Sequence, residues 1–229
     1  MIILPHYNGP HTSGNGGYTC GLLDAETDYV SEITLRKPIP LGVDMTLKRE
    51  GELLSLFNGD ELIATVKEGQ LNDLVAPPPP DYASAERARQ NYLGLKEKLA
   101  FPTCYVCGTD RPVDEGLHIY TGKLAGTDTF AATWTPSEKH SDESGMVLPR
   151  FIWAALDCPG AYAAMGDHKL TIVLGRMTAK ITRPLKIGDR CIIHAWPIGS
   201  DGRKHFSGTA IYTEKQELVG IAKATWFEI

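Results

Sequence analysis

The stretch TSGNGGYTCGLLDAE, residues 12–26, sets Gly14, Gly16 and Gly17 at the front of a helical pattern. Glycine costs about 1 kcal/mol relative to alanine inside a helix, so its concentration there needs a reason. With Gly16 and Gly17 in a first turn, their N–H groups have no intrahelical acceptor, and the helix dipole adds partial positive charge. Such donors, aimed at an oxygen that turns negative in a transition state, form an oxyanion hole, where losing one donor costs roughly 2.7–4 kcal/mol. A Cβ at these positions would obstruct the approach. The competing reading is a glycine-rich lead-in that only lets the helix pack.

A site of that kind also needs a base or nucleophile. Asp24 follows Gly16 by eight residues, which places the two within about 80° of each other around a helix axis. Asp157 interrupts the apolar run IWAALDCPG, and a buried carboxylate without partners is costly and raised in pKa. Asp157 is therefore a candidate nucleophile or general base, unless it bonds to backbone near Pro159 and Gly160 and shapes a bend. Cys104 and Cys107 form a C-x-x-C pair, but zinc needs four ligands or three plus water. No second C-x-x-C or H-x-x-x-H accompanies them, and His118 alone completes nothing; the pair is expected to be a structural loop, with no metal. The seven histidines are dispersed, His6 and His11 bordering the glycine segment. No G-x-S-x-G elbow and no P-loop occurs.

The chain of 229 residues is 42% hydrophobic and 22% charged, which is globular material with enough apolar content for a core. A net charge of −5 without a basic block argues against nucleic acid as a partner. MIILPHYNGP does not read as a signal peptide, and no window is apolar enough to span a bilayer. With five scattered cysteines, the expectation is a cytoplasmic protein with reduced thiols and no membrane partner.

APPPPDY, residues 76–82, is the clearest boundary, because consecutive prolines favour polyproline II over helix or sheet. It divides the chain into residues 1–75, a linker over 76–100 and residues 101–229. Tyr82, Ala85, Ala88, Tyr92, Leu95 and Leu99 recur at helical spacing, which predicts one amphipathic helix packing across the joint between the halves. The halves share weak matches in the same order: GLLD (21–24) with AALD (154–157), LRKPIPLG (35–42) with ITRPLKIG (181–188), and DELIATVK (60–67) with QELVGIAK (216–223). An internal duplication is expected, each half a helix followed by strands. In the second half RFIWAALDCPGAYAAM is the helix, Pro149 suits its first turn, and GLHIYTG and TFAATWTP add two strands ahead of it.

A small-residue helix followed by a curled antiparallel sheet with an R-x-P-x-x-x-G corner resembles the hotdog fold of acyl-CoA thioesterases and dehydratases. CYVCGTDRPVDEGLHIY (104–120) is similar to the C-x-x-C-G opening of many hotdog thioesterase-like proteins, and NGGYTCGLLD (15–24) to the H-G-G-then-acid segment of the phenylacetate-type group. Asn15 stands where that group usually has histidine. The resemblance implies an α+β double hotdog: a short first copy over 1–75, the linker, and a second copy over 101–229. It also implies sites that cross between copies, pairing Asn15, Gly16 and Gly17 with Asp157. The reverse pairing sets Asp24 against Pro149, which has no N–H, so one competent site is expected and Asp24 reads better as a helix-end residue. The substrate implied is an acyl-CoA thioester, with CoA part of the substrate and no separate cofactor. His11, Arg36, Arg150 and Arg183 are the candidate substrate-binding residues; Arg36, Lys37 and Arg183 flank the repeated corner and either meet CoA phosphates or lie as solvated strand ends. Alternatives are a non-catalytic acyl-CoA or fatty-acyl binding module and, behind it, an enoyl-CoA hydratase or dehydratase, which needs an aspartate–histidine pair. The pseudo-dimer is either complete alone or stacks its sheet edges into a homo-oligomer.

Overall fold

A computed structural model describes all 229 residues. Three α-helices, α1 (Gly16–Asp24), α2 (Tyr82–Ala88) and α3 (Pro149–Met165), accompany ten strands. The strands are β1 (Ser31–Leu35), β2 (Thr46–Glu50), β3 (Leu53–Asn58), β4 (Glu61–Glu68), β5 (Gly122–Lys123), β6 (Phe130–Trp134), β7 (Ile172–Ile181), β8 (Cys191–Asp201), β9 (Lys204–Thr213) and β10 (Leu218–Glu228). All ten join one antiparallel sheet in the order β2-β3-β4-β1-β7-β10-β9-β8-β6-β5. The order β1-β4-β3-β2 recurs as β7-β10-β9-β8, so each half wraps the same run of four strands around its own helix. The halves meet where β1 pairs with β7, Ile33 opposite Met177. The repeated corner is the same device twice: Gly42 and Gly188 both hold a positive φ, +70° and +82°, where a side chain would be strained.

The two helices pack against each other inside the sheet. α3 is apolar nearly all round, and Trp153, Ala154, Ala155 and Leu156 are fully buried. Pro149 takes its first turn as the sequence predicts. Gly17 and Gly21, one turn apart on α1, allow the crossing: a Cβ on Gly17 would lie 2.4 Å from Asp157 Cβ and 2.7 Å from the Trp153 carbonyl, and one on Gly21 2.5 Å from Arg150 Cα.

Three expectations differ from the structure. The 82–99 segment is not one helix: α2 ends at Ala88, and 3₁₀ turns follow at Arg89–Asn91 and Leu93–Leu95. Between them Tyr92 is extended, at φ −60° and ψ 128°. The break lets the fully buried Tyr92 ring enter the core, where its hydroxyl donates to the Cys107 carbonyl at 2.5 Å and pairs with the Tyr162 hydroxyl at 2.9 Å. Nor does α2 bridge the halves, since Ala85 and Ala88 pack on the outer face of the second half's sheet, against Ala131, Ile192 and Trp196. Tyr92→Phe is expected to cost about 1–3 kcal/mol, the penalty for buried polar groups left without a partner, read as a lower denaturation midpoint.

GLHIY is not a strand either. His118 takes φ +50°, and the segment bonds to the C-x-x-C loop instead, Leu117 N–H to the Tyr105 carbonyl and Ile119 N–H to the Val106 carbonyl, each at 2.9 Å. No helix is long and apolar enough to cross a membrane.

Two buried histidines make the fold acid-sensitive. Burial, then the charge of Lys139, lowers His140 to about 4, and burial lowers His194 to about 4. His140 Nδ1 accepts the Ser137 N–H at 3.0 Å, a bond that protonation would remove, and neither ring nitrogen of His194 has a partner. Both folded values lie below the unfolded value of about 6.5. Their contribution is therefore complete above that value and is lost as pH falls from about 6.5 toward 4. The buried carboxyls of Asp157 and Asp24, both raised, act in the opposite sense over the same window, so the histidine contribution is read as a difference: in thermal melts His194→Leu should lose less Tm with acid than the wild type.

Candidate functional site

Asn15 is the N-cap of α1, and its amide works in both directions. Oδ1 accepts the Tyr18 N–H at 2.8 Å, closing the helix end, while Nδ2 donates to Asp157 Oδ2 at 3.0 Å. The same carboxylate oxygen accepts the Gly17 N–H at 2.9 Å. Asn15, Gly17 and Asp157 thus come from opposite halves onto one point. Asp157 does not shape a bend at Pro159 by bonding to local backbone. Its Oδ1 is buried with no hydrogen-bond partner. Burial pushes the Asp157 carboxyl up to about 7; the Gly17 N–H opposes the rise, the nearby Cys104 sulfur adds to it, and Asn15 opposes it.

The structure corrects the expected donor pair. Gly17 N–H is taken by Asp157, so it is not a bare amide. Gly16, the first helical residue, keeps an N–H with no acceptor in the helix and lines a cavity that also reaches Asn15 and Asp157. Glycine at 17 answers to the helix crossing. At 16 a Cβ would meet only side-chain atoms, Leu174 Cδ2 at 2.8 Å and Leu35 Cδ1 at 3.3 Å among them.

The cavity measures about 1110 Å³ and extends along α3 past Cys158, Ala161, Tyr162 and Met165, under the linker residues Leu93 and Leu99. It lies on the Asp157 side only. Asp24 does not line it; Asp24 Oδ2 accepts the Trp153 indole N–H at 3.1 Å, and burial raises its carboxyl. Of the expected substrate-binding residues only Arg36 lines the cavity. His11 is exposed beside it, Arg183 pairs with Glu217 at 2.5 Å, and Arg150 lies 5.4 Å from the Phe151 ring with Nε buried and unpartnered. Sequence reasoning missed Lys98, Arg176 and Lys204, which do line it. Arg176 lies on β7, Lys204 on β9 and Lys98 in the linker outside any helix or strand, and no local motif marks them.

It also missed a thiol cluster. Cys158 follows Asp157 on α3 and brings a third sulfur to the C-x-x-C pair, with Cys104 Sγ 3.6 Å from Cys158 Sγ. Asn15 Nδ2 lies 4.0 Å from Cys104 Sγ, and the Tyr162 hydroxyl donates to Cys107 Sγ at 3.6 Å. The Cys104 thiol is held well below its ordinary value by hydrogen bonds from the Cys107 and Cys158 thiols and then by the Cys107 and Val106 backbone N–H groups. The sequence separation of 54 residues hides this neighbour; only its place beside Asp157 could have suggested it.

Two helices, each wrapped by the same strand order in one continuous antiparallel sheet, with a polar junction between the helix of one half and that of the other, define a double hotdog fold. No family model and no curated protein matches the sequence. Among solved structures, the tesB protein of Mycobacterium avium subspecies paratuberculosis is similar over 100% of this chain and 91% of that one, with a TM-score of 0.59 at 12% identity. The PaaI protein of E. coli, from the phenylacetic acid degradation operon, is matched over 62% of this chain and 94% of its own, at a TM-score of 0.49 and 18% identity. Zebra fish thioesterase superfamily member 2 is matched over 52% of this chain and 88% of its own, at a TM-score of 0.45 and 15% identity.

Proposed function

We propose that this chain hydrolyses acyl-CoA thioesters at the junction of α1 and α3. The observation that carries the reading is Asp157 Oδ2 held by Asn15 Nδ2 and Gly17 N–H from the other half, at the wall of a cavity of about 1110 Å³. Asp157 acts as general base: a carboxyl near 7 is matched to taking a proton from water at neutral pH. Asn15 and Gly17 fix its orientation, and the Gly16 N–H, at the positive end of the α1 dipole, meets the thioester oxygen as it gains charge. The apolar stretch of the cavity, Leu93, Leu99, Ala161 and Met165, suits an acyl chain, while Arg36, Lys98, Arg176 and Lys204 supply positive charge for CoA phosphates. No histidine lines the cavity, which disfavours the aspartate–histidine chemistry of enoyl hydration. The two halves are read as copies of one ancestral unit, with boundaries in the 76–100 linker. No separate cofactor enters this reaction.

The test is release of free CoA, followed with a thiol reagent, from a panel of acyl-CoAs of different chain length. Turnover of at least one member is expected. Tight binding of acyl-CoAs without turnover would replace the reading with a binding module.

A further inference from the structure

The thiol cluster is not used by the proposed hydrolysis, and its geometry has a chemistry of its own. Cys104, Cys107 and Cys158 place their sulfurs within 4.8 Å of one another. A tetrahedral zinc site with Zn–S bonds of about 2.3 Å separates its sulfurs by about 3.8 Å, and the Cys104–Cys158 distance is 3.6 Å. The C-x-x-C-G loop has the form of a metal-binding knuckle. The Val106 and Cys107 N–H groups face the Cys104 sulfur. The turn closes through Gly108 N–H to the Cys104 carbonyl at 2.8 Å, and a Cβ on Gly108 would lie 2.5 Å from the Pro102 carbonyl oxygen.

The surroundings hold the loop in place before any ion arrives. Tyr105 N–H donates to the Asn8 carbonyl at 2.7 Å. Arg111 ties the loop to the N-terminal segment through the Thr103, Glu115 and His6 carbonyls at 2.7–2.8 Å. The third sulfur arrives on α3, whose core-facing residues Trp153 to Leu156 are fully buried. Three soft donors converging from a knuckle and a rigid helix suit a soft divalent cation such as zinc more than a hard one.

We infer that Cys104, Cys107 and Cys158 form a zinc-binding site that clamps the C-x-x-C loop to α3, with the fourth coordination position directed to the cavity these three residues line. The sequence reading disfavours such a site because no further ligand motif accompanies the pair, and α3 supplies the third ligand. Binding releases protons from those thiols that are still protonated, so that three thiolates hold the ion. The site is separate from the hydrolytic reading and stands or falls without it.

The experiment is metal analysis of the whole chain purified from zinc-supplemented cells, together with titration of the metal-free protein with Co²⁺. About one zinc per chain, retained through gel filtration, is expected. Co²⁺ should give sulfur-to-metal charge-transfer absorption and the intense visible bands of tetrahedral cobalt. Bound zinc should also protect three thiols from alkylation until a chelator is added. Cys104→Ser, Cys107→Ser and Cys158→Ser should each lose the retained zinc, while Cys191→Ala, whose sulfur lies outside the cluster, should keep it. Because a serine variant could fail by disturbing the loop, the wild-type cobalt spectrum is decisive by itself. Absence of charge-transfer bands, undiminished binding in all three variants, or a Cys104–Cys158 disulfide in protein purified without air would each overturn the site.

Discussion

Asp157→Asn is expected to lower acyl-CoA turnover by about 10²–10⁴-fold, the range for loss of a positioned general base, while CoA binding is retained. The substitution is nearly isosteric, and an asparagine oxygen can still accept the Gly17 N–H that Asp157 Oδ2 accepts at 2.9 Å. Neutralising the group carries little cost in stability, because burial already pushes its carboxyl up to about 7. A loss of rate with an unchanged melting midpoint therefore reports chemistry rather than folding. Asp24→Asn provides the comparison. Asp24 ends α1 on the side without the cavity and accepts the Trp153 indole N–H, so its replacement should leave turnover within about twofold. Equal loss in both variants would sink the assignment of Asp157 as base.

The parts of the molecule legible in the sequence are those written in local pattern. The strands β7 to β10 are long runs of β-branched and aromatic residues between turn signals, and α3 is a small-residue apolar run opened by Pro149. The crossing of Asn15 and Gly17 onto Asp157 also follows from the matched helices, since the resemblance pairs one copy's helix start with the other's acid. What failed was set by tertiary demands. The helical spacing from Tyr82 to Leu99 is real, yet the buried Tyr92 hydroxyl has partners at Cys107 and Tyr162, and reaching them breaks the helix after Ala88. GLHIY alternates like a strand, but the C-x-x-C loop takes its N–H groups. Arg176 and Lys204 meet at the cavity because the sheet curls, and Lys98 because the linker lies over it; nothing in their spacing records either. Cys158 shows the same limit: the sequence contains the thiol, and only the packing of α3 against the loop gives it neighbours.

Gly17→Ala and Gly16→Ala should separate the two reasons a chain has for glycine at a helix start. At 17 the new methyl would lie 2.4 Å from Asp157 Cβ, 2.7 Å from the Trp153 carbonyl and 3.1 Å from Ala154 Cα. Two of these three are backbone atoms of α3 that cannot turn away, so α1 and α3 must separate. Overpacking of this kind costs about 1–3 kcal/mol, sometimes more, and for a chain of this size each kcal/mol lowers Tm by roughly 2–4 °C. The same separation stretches the Gly17 and Asn15 bonds to Asp157, so turnover should fall together with stability. At 16 the nearest atoms are Leu174 Cδ2 at 2.8 Å, Leu174 Cβ at 3.1 Å and Leu35 Cδ1 at 3.3 Å; the two methyls can rotate aside, the Cβ needs a shift of only a few tenths of an ångström, and alanine retains the N–H. Its stability cost should be under about 1 kcal/mol, within reach of helix propensity, which favours alanine over glycine by a similar amount. If the thioester oxygen approaches the Gly16 amide, the added methyl should lower kcat/KM by at least tenfold at nearly constant Tm. A Gly16→Ala variant with wild-type turnover would remove the oxyanion role from that amide and leave both glycines to packing.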